Sequence, residues 1–198
     1  MEWKTLGEIG TLKRGNGLQK KDFTQSGVGC IHYGQIYTFY GTFAHKTKSF
    51  VSDDLAPRLT KVNYGDIIIT TTSENVSDVC KAVAWLGNEI VTGGHAAVLT
   101  HNENPKYISY CLQSDFFFKQ KKKFARGTKV IEISTNQLAK IKIPVPDRTA
   151  QDYIVRKLDS FDELINDLFV GLPAEINARK KQYEYYRNKL LTFKEKSA

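Results

Sequence analysis

Long apolar runs are missing from this chain. None of its 198 residues belongs to a stretch approaching the roughly 18 apolar residues of a membrane-spanning helix. The opening Met1-Glu2-Trp3-Lys4 has no apolar signal-peptide core, and a cytoplasmic location is expected. Cysteine is scarce. Cys30, Cys80 and Cys111 are odd in number and far apart, which points to reduced, buried thiols rather than a disulfide framework. His32, His45, His95 and His101 form no metal-ligand spacing with them, so no metal is expected. No glycine-rich loop follows a strand in the way that cradles a phosphate or a nucleotide cofactor. Gly15-Asn16-Gly17 is the nearest approach and reads as a plain turn, so no cofactor is expected. There is no internal repeat and no low-complexity linker.

Cations, in contrast, are plentiful and unevenly placed. Residues 1–150 hold 20 Lys and Arg against 13 Asp and Glu, a net +7, while residues 151–198 hold 9 against 8, a net +1. A basic body joined to a neutral tail suits a polyanion partner, above all nucleic acid. Scattered solubilising lysines are the alternative.

The basic part reads as mixed α and β. Ile67-Ile68-Ile69-Thr70-Thr71-Thr72 suits a buried strand after the Asn63-Tyr64-Gly65-Asp66 turn. Further strands are expected at 81–86, 90–92, 96–100 and 140–145, the last at a sheet edge because of its prolines. Helices are expected from near Ser52 and from Pro105 to Phe124. The fold class is therefore α+β: a mixed domain over 1–146, then a coiled-coil-like helical region over 147–198.

That last region carries the strongest pattern. Ile154, Leu158, Phe161, Ile165 and Leu168 follow steps of 4, 3, 4 and 3. Ile176, Tyr183, Tyr186, Leu190 and Phe193 continue the seam, with Arg179 as its one charge. Gly171-Leu172-Pro173 suits a helix stop followed by a helix start, which predicts two helices. The seam either meets a partner helix or closes a hairpin on itself.

The literal residues carry a resemblance. Ile143-Pro144-Val145-Pro146, Gln151, Leu158-Asp159-Ser160-Phe161-Asp162, Gly171-Leu172-Pro173-Ala174-Glu175-Ile176, Arg179-Lys180-Lys181-Gln182-Tyr183-Glu184-Tyr185-Tyr186-Arg187 and Leu190-Leu191-Thr192-Phe193 closely resemble the conserved helical region of specificity subunits of type I restriction-modification systems. Looser matches lie at Trp3-Lys4-Thr5-Leu6-Gly7-Glu8-Ile9, Gly65-Asp66-Ile67-Ile68, Gly93-Gly94-His95 and Arg126-Gly127-Thr128 ahead of Ile133-Ser134.

The resemblance implies a DNA target-recognition domain reading one half of a split double-stranded target. It also implies a helical spacer that docks methyltransferase subunits, adenine-N6 enzymes using adenosylmethionine. A motor-nuclease subunit would join for restriction. Such subunits usually carry two recognition domains and two helical regions. This chain has one of each, as a natural half-length subunit or as a piece of a longer one. A homodimer through Leu158, Phe161, Ile165, Arg179, Tyr183, Tyr186 and Leu190 would restore the two-domain arrangement.

No catalytic activity is expected. Asn104-Pro105-Lys106-Tyr107 lacks the second proline of an adenine-flipping motif and reads as a helix start, and helicase and nuclease motifs are absent. A rival reading is an assembly inhibitor or decoy that uses the same helices without DNA. Another is an unrecognised nuclease or methyltransferase.

Four segments have the chemistry of DNA contacts, cations for phosphate and amides or hydroxyls for base edges. They are Lys20 and Lys21; Gln35 and Tyr37 with Lys46 and Lys48; Thr71, Thr72 and Ser73 in the polar loop Thr70-Thr71-Thr72-Ser73-Glu74-Asn75 that leaves a strand; and Lys119, Lys121 and Lys122 with Arg126 and Lys129. The lysine run also reads as a solvated helix face, and the threonines as strand formers. His95 either presents its ring to DNA or is structural.

Overall fold

The structure is a computed structural model and describes residues 2–190. The chain starts with strand β1 (Glu2–Thr5), the one-turn helix α1 (Leu6–Ile9) and β2 (Gly10–Arg14). After a 3-10 turn at Lys20–Asp22 come β3 (Val28–Ile31), α2 (Tyr33–Thr38), β4 (Phe43–Ala44) and β5 (Ser49–Val51). Next are β6 (Thr60–Val62), β7 (Ile67–Thr70), β8 (Thr72–Ser73), β9 (Ala82–Trp85), β10 (Ile90–Thr92) and β11 (Ala96–His101). Helices α3 (Pro105–Cys111) and α4 (Asp115–Phe124), β12 (Ile131–Glu132), α5 (Thr135–Leu138), β13 (Lys142–Val145) and α6 (Arg148–Leu190) complete it. The chain divides into two compact units, 1–153 and 154–198.

In the first unit, five strands order as β2-β11-β7-β9-β4 and four as β5-β3-β10-β6. Short ribbons pair β1 with β13 and β8 with β12. Strand β7 is buried along its whole length, with α3 packed against it and α2 also in contact. A strand covered on both faces needs an unbroken apolar run, and Ile67-Ile68-Ile69 supplies it at about 1.5–3 kcal/mol per buried side chain. One core cluster joins Ile68, Val83, Trp85 and Val98 to Ile31, Ile90 and Ile36. Their sequence neighbours Cys30 and Val91 point the other way, with Leu18, Val51 and Leu59, because side chains alternate across a strand. All three thiols are buried; desolvation pushes Cys30 and Cys80 up to about 12 and Cys111 to about 11.

The four expected helices differ from those observed. The segment after Ser52 forms only a 3-10 turn at Ala56–Arg58, since Pro57 has no N–H to bond the Asp53 carbonyl in an α-turn. The helix expected over 105–124 is two, because Ser114 turns extended and its hydroxyl caps α4 by accepting from the Phe117 N–H at 3.4 Å. The two C-terminal helices are one, with Pro173 inside α6. Proline removes a single bond, to the Phe169 carbonyl, at about 3 kcal/mol. Strong helix formers flank it, among them Ala174, Glu175, Arg179, Lys180 and Lys181, and carry the helix through. The chain therefore does not close a hairpin there.

The root of α6 is held by Gln151, which is fully buried. Its Oε1 accepts from the Asn104 N–H at 2.9 Å, and its Nε2 donates to Glu103 Oε2 at 2.6 Å and to the Pro146 carbonyl at 2.9 Å. Asp147 caps the first turn by accepting from the Ala150 N–H at 2.9 Å. Gln151→Leu leaves the Asn104 N–H and the Pro146 carbonyl without partners. The expected loss is roughly 2–3 kcal/mol, read as a lower midpoint in urea unfolding.

Candidate nucleic-acid interface

Helix α2 is short and positioned from both ends. His32 caps it: Nδ1 accepts from the Gly34 N–H at 3.1 Å, while Gln35 Oε1 accepts from the His32 N–H at 3.1 Å. At its far end the Tyr37 hydroxyl donates to the Thr72 carbonyl at 2.7 Å, and burial raises its pKa. Gln35 Nε2 donates to Ser49 Oγ at 2.7 Å. Gln35 is thus a capping and bridging residue, with both amide atoms engaged inside the fold.

Two hollows flank α2 and meet at Tyr33. The first, about 360 Å³, is lined by Leu18, Gln19, Lys20, His32, Gly94 and His95. Two glycine loops make it. Gly15 and Gly93 approach so closely that a Cβ on Gly15 would strike the Gly93 carbonyl, and one on Gly93 would strike Leu18. Rings of Phe23, His32, Tyr33 and His95 form a chain, with centroids 5.8, 4.5 and 5.0 Å apart. Burial lowers the His32 pKa, and the neighbouring Lys20 and His95 lower it further, which favours the uncharged ring that accepts as a cap.

The second hollow, about 530 Å³, lies between α2 and β8. Tyr37, Thr38, Thr72, Ser73, Glu74, Asn75, Asp78, Lys81 and Val130 line it with Tyr33. Its frame is backbone. The Ile133 N–H donates to the Thr71 carbonyl at 3.0 Å, and Ser73 pairs with Ile131. Gly127 turns left-handed at φ +108, where a Cβ would run into the Val130 carbonyl, so the Arg126-Gly127-Thr128 loop needs its glycine. Two non-glycine residues, Cys80 at φ 66 and His95 at φ 65, are also left-handed. They bracket the end of β7: Cys80 N–H donates to Thr70 O at 3.0 Å, and Thr71 N–H to His95 O at 2.8 Å.

The expected DNA contacts sort unevenly onto this surface. Lys20, Tyr37, Thr72 and Ser73 line the two hollows, and Arg126 and Lys129 lie on the loop that supplies Val130. Lys21, Lys46, Lys48, Lys119 and Lys122 are exposed away from both linings. Lys48 sits 4.5 Å from the centre of the Phe39 ring. Lys121 is the plain correction. Its ammonium donates to the carbonyls of Ser77 at 2.8 Å and of Val79, and only 5% of the residue is exposed. Burial lowers its pKa, partly offset by Cys80 and Asp78. It cannot reach a phosphate, because α4 places position 121 one turn after buried Phe117, on the inner face. Thr71 is corrected too: it is 1% exposed, beneath the surface it was expected to form.

Sequence reading placed Glu74 and Asn75 in a polar recognition loop, missed Tyr33, His32 and Lys81 as lining residues, and left His95 undecided. Gly93-Gly94 was the available signal for His95. Among the described residues no group of three His, Cys, Asp or Glu is placed to hold a metal, and no helix is long and apolar enough to cross a membrane.

Comparison with known proteins bears on the chain as a whole. The sequence profile of the type I restriction modification DNA specificity domain matches residues 1–178. The chain belongs to that family. The specificity subunit of the EcoR124I/EcoR124II type I restriction enzyme from Escherichia coli is 32% identical over 204 residues, covering 98% of this chain and 48% of that one. A putative type I specificity subunit from Haemophilus influenzae is 29% identical over 192 residues, covering 95% and 47%. This specificity-family chain thus spans about half the length of these relatives. The fold recurs in solved structures. A chain from a study of assembly and conformational transition of the type I R-M system aligns with TM-score 0.66 at 19% identity, over 92% of this chain and 43% of its own. The HsdS subunit from Thermoanaerobacter tengcongensis aligns with TM-score 0.60 at 18% identity, over 84% and 38%.

The two kinds of lysine on α4 separate experimentally. Lys121→Met should destabilise the fold by about 1–3 kcal/mol through two unpaired carbonyls, without changing how DNA affinity responds to salt. Lys122→Glu should leave stability unchanged and lower the slope of log affinity against log salt by about 0.9. Thermal unfolding and salt titration of duplex binding check both.

Proposed function

We propose that this chain is a DNA sequence-specificity module of a type I restriction-modification complex. It reads one half of a bipartite target and docks the methyltransferase subunits through α6. The observation that carries this is the specificity-domain match over residues 1–178, which takes in the globular unit and most of that helix. The excess cation lies on the globular part, where polyanion binding needs it. Lys20, Lys21, Lys46, Lys48, Lys119, Lys122, Arg126 and Lys129 are all exposed and serve as phosphate contacts. Tyr37, Thr72 and Ser73 shape the cleft that meets base edges. The chain itself carries no chemistry: methyl transfer belongs to the modification subunits and cleavage to the motor-nuclease subunit.

The test is methylome mapping with and without the gene in its host. Loss of one bipartite methylated motif on deletion supports the proposal. An unchanged methylome overturns it.

A single recognition module reads a single half-site, so we extend the proposal to a two-fold dimer through α6. Phe161, Leu172, Ile176, Tyr183 and Tyr186 are each more than half exposed on that helix. Leu158 is half-buried; Ile165 and Leu190 also lie on α6, and Phe193 lies outside the described residues. Arg179 pairs within its own helix, 3.7 Å from Glu175. An exposed apolar row of this size finds a partner surface in stable proteins. Sedimentation at about tens of micromolar should give a dimer for the wild type and a monomer for a Phe161→Asp, Tyr183→Asp double variant. A monomeric wild type would place the chain beside a second recognition domain instead.

A further inference from the structure

The two hollows that meet at Tyr33 differ in charge. The one between the glycine loops has Lys20, His32 and His95 on its walls and no carboxylate. The one between α2 and β8 has Glu74 and Asp78 as well as Lys81. A carboxylate on a groove that faces phosphates weakens binding to every duplex, so its presence needs another cause.

Asp78 has one. Its carboxylate accepts from the Asn75 amide at 2.7 Å, and its N–H donates to Asn75 Oδ1 at 2.8 Å, which folds the 75–78 turn. Glu74 has none. It is exposed, and its carboxylate makes no hydrogen bond or ion pair among the described residues. The backbone that presents it is braced on every side. Ser73 pairs with Ile131, the Thr72 carbonyl holds the Tyr37 hydroxyl, and Lys121 grips the far end of the loop at Ser77 and Val79. A free acceptor on a braced backbone is how a selective contact is built.

We propose that Glu74 reads the exocyclic amino group of a base in the major groove, N4 of cytosine or N6 of adenine. This rests on the DNA-recognition reading above. An ionised carboxylate only accepts hydrogen bonds. Guanine and thymine offer only acceptors at their major-groove edges, so Glu74 repels them. The same side chain therefore selects one pair of bases and rejects the other.

The experiment complements a deletion strain with wild type, Glu74→Gln or Glu74→Ala and maps the methylated motif of each. Wild type should show cytosine or adenine at one fixed position of the half-site. Glu74→Ala should relax that position alone, with discrimination falling roughly 5- to 150-fold. Glu74→Gln separates the two sources. The amide pairs with adenine N6 and N7, so a cytosine position moves toward adenine, whereas an adenine position stays. In vitro, Glu74→Gln should strengthen binding to a duplex without the motif, because one repulsive charge has left the groove. If deletion erases the motif but both variants leave every position unchanged, Glu74 reads no base. Weaker or equal binding of Glu74→Gln to the motif-free duplex would also overturn the proposal. If deletion leaves the methylome intact, the DNA-recognition reading itself fails.

Discussion

One buried ammonium holds the candidate surface together. Lys121 places its charge against the carbonyls of Ser77 and Val79, deep enough that its pKa is lowered by loss of water. A buried cation without such partners would be strongly unfavourable, so the lysine and the loop fix each other. Everything from Ser73 to Cys80 hangs between this anchor and the β8–β12 ribbon. The cleft against α2 exists because both ends of that loop are fastened. Tyr37 closes the frame from the opposite wall through the Thr72 carbonyl.

Much of the fold was legible where burial imposes a simple pattern. The run of isoleucines at β7 reads as a strand covered on both faces, and it is one. The strands at 82–85, 90–92 and 96–101 stand where apolar runs meet glycine turns. Strands β1 to β6 and β12 were not read, because they lack an unbroken apolar run and depend on partners distant in sequence. Pro173 misled for a physical reason. A Gly-Leu-Pro triplet signals a break by local chemistry, yet the cost of one missing bond is local while helix propagation on both sides is cooperative.

The candidate surface was legible in composition and less so in assignment. The lysines of 119–123 look alike in sequence, and only the phase of α4 makes 121 internal and 122 external. Buried Phe117, four residues earlier, was the clue available. Gln35 has the chemistry of an adenine reader and is used for capping, because a helix of six residues needs its ends satisfied from outside. Tyr33 joins the two hollows through tertiary placement alone, which no local pattern encodes. On α6 the heptad spacing was visible, and the exposed aromatics follow from it within a single helix.

The grip on the 74–80 loop falls on main-chain atoms: Lys121 on two carbonyls, Cys80 N–H on Thr70 O, Thr71 N–H on His95 O. Among the side chains that line the cleft, Tyr37, Asn75, Asp78 and Lys81 take part in that scaffold, and Glu74 does not. Form and reading are thereby uncoupled. On the proposed reading of Glu74, a substitution there changes the preferred base while the main-chain grip on the loop stays in place.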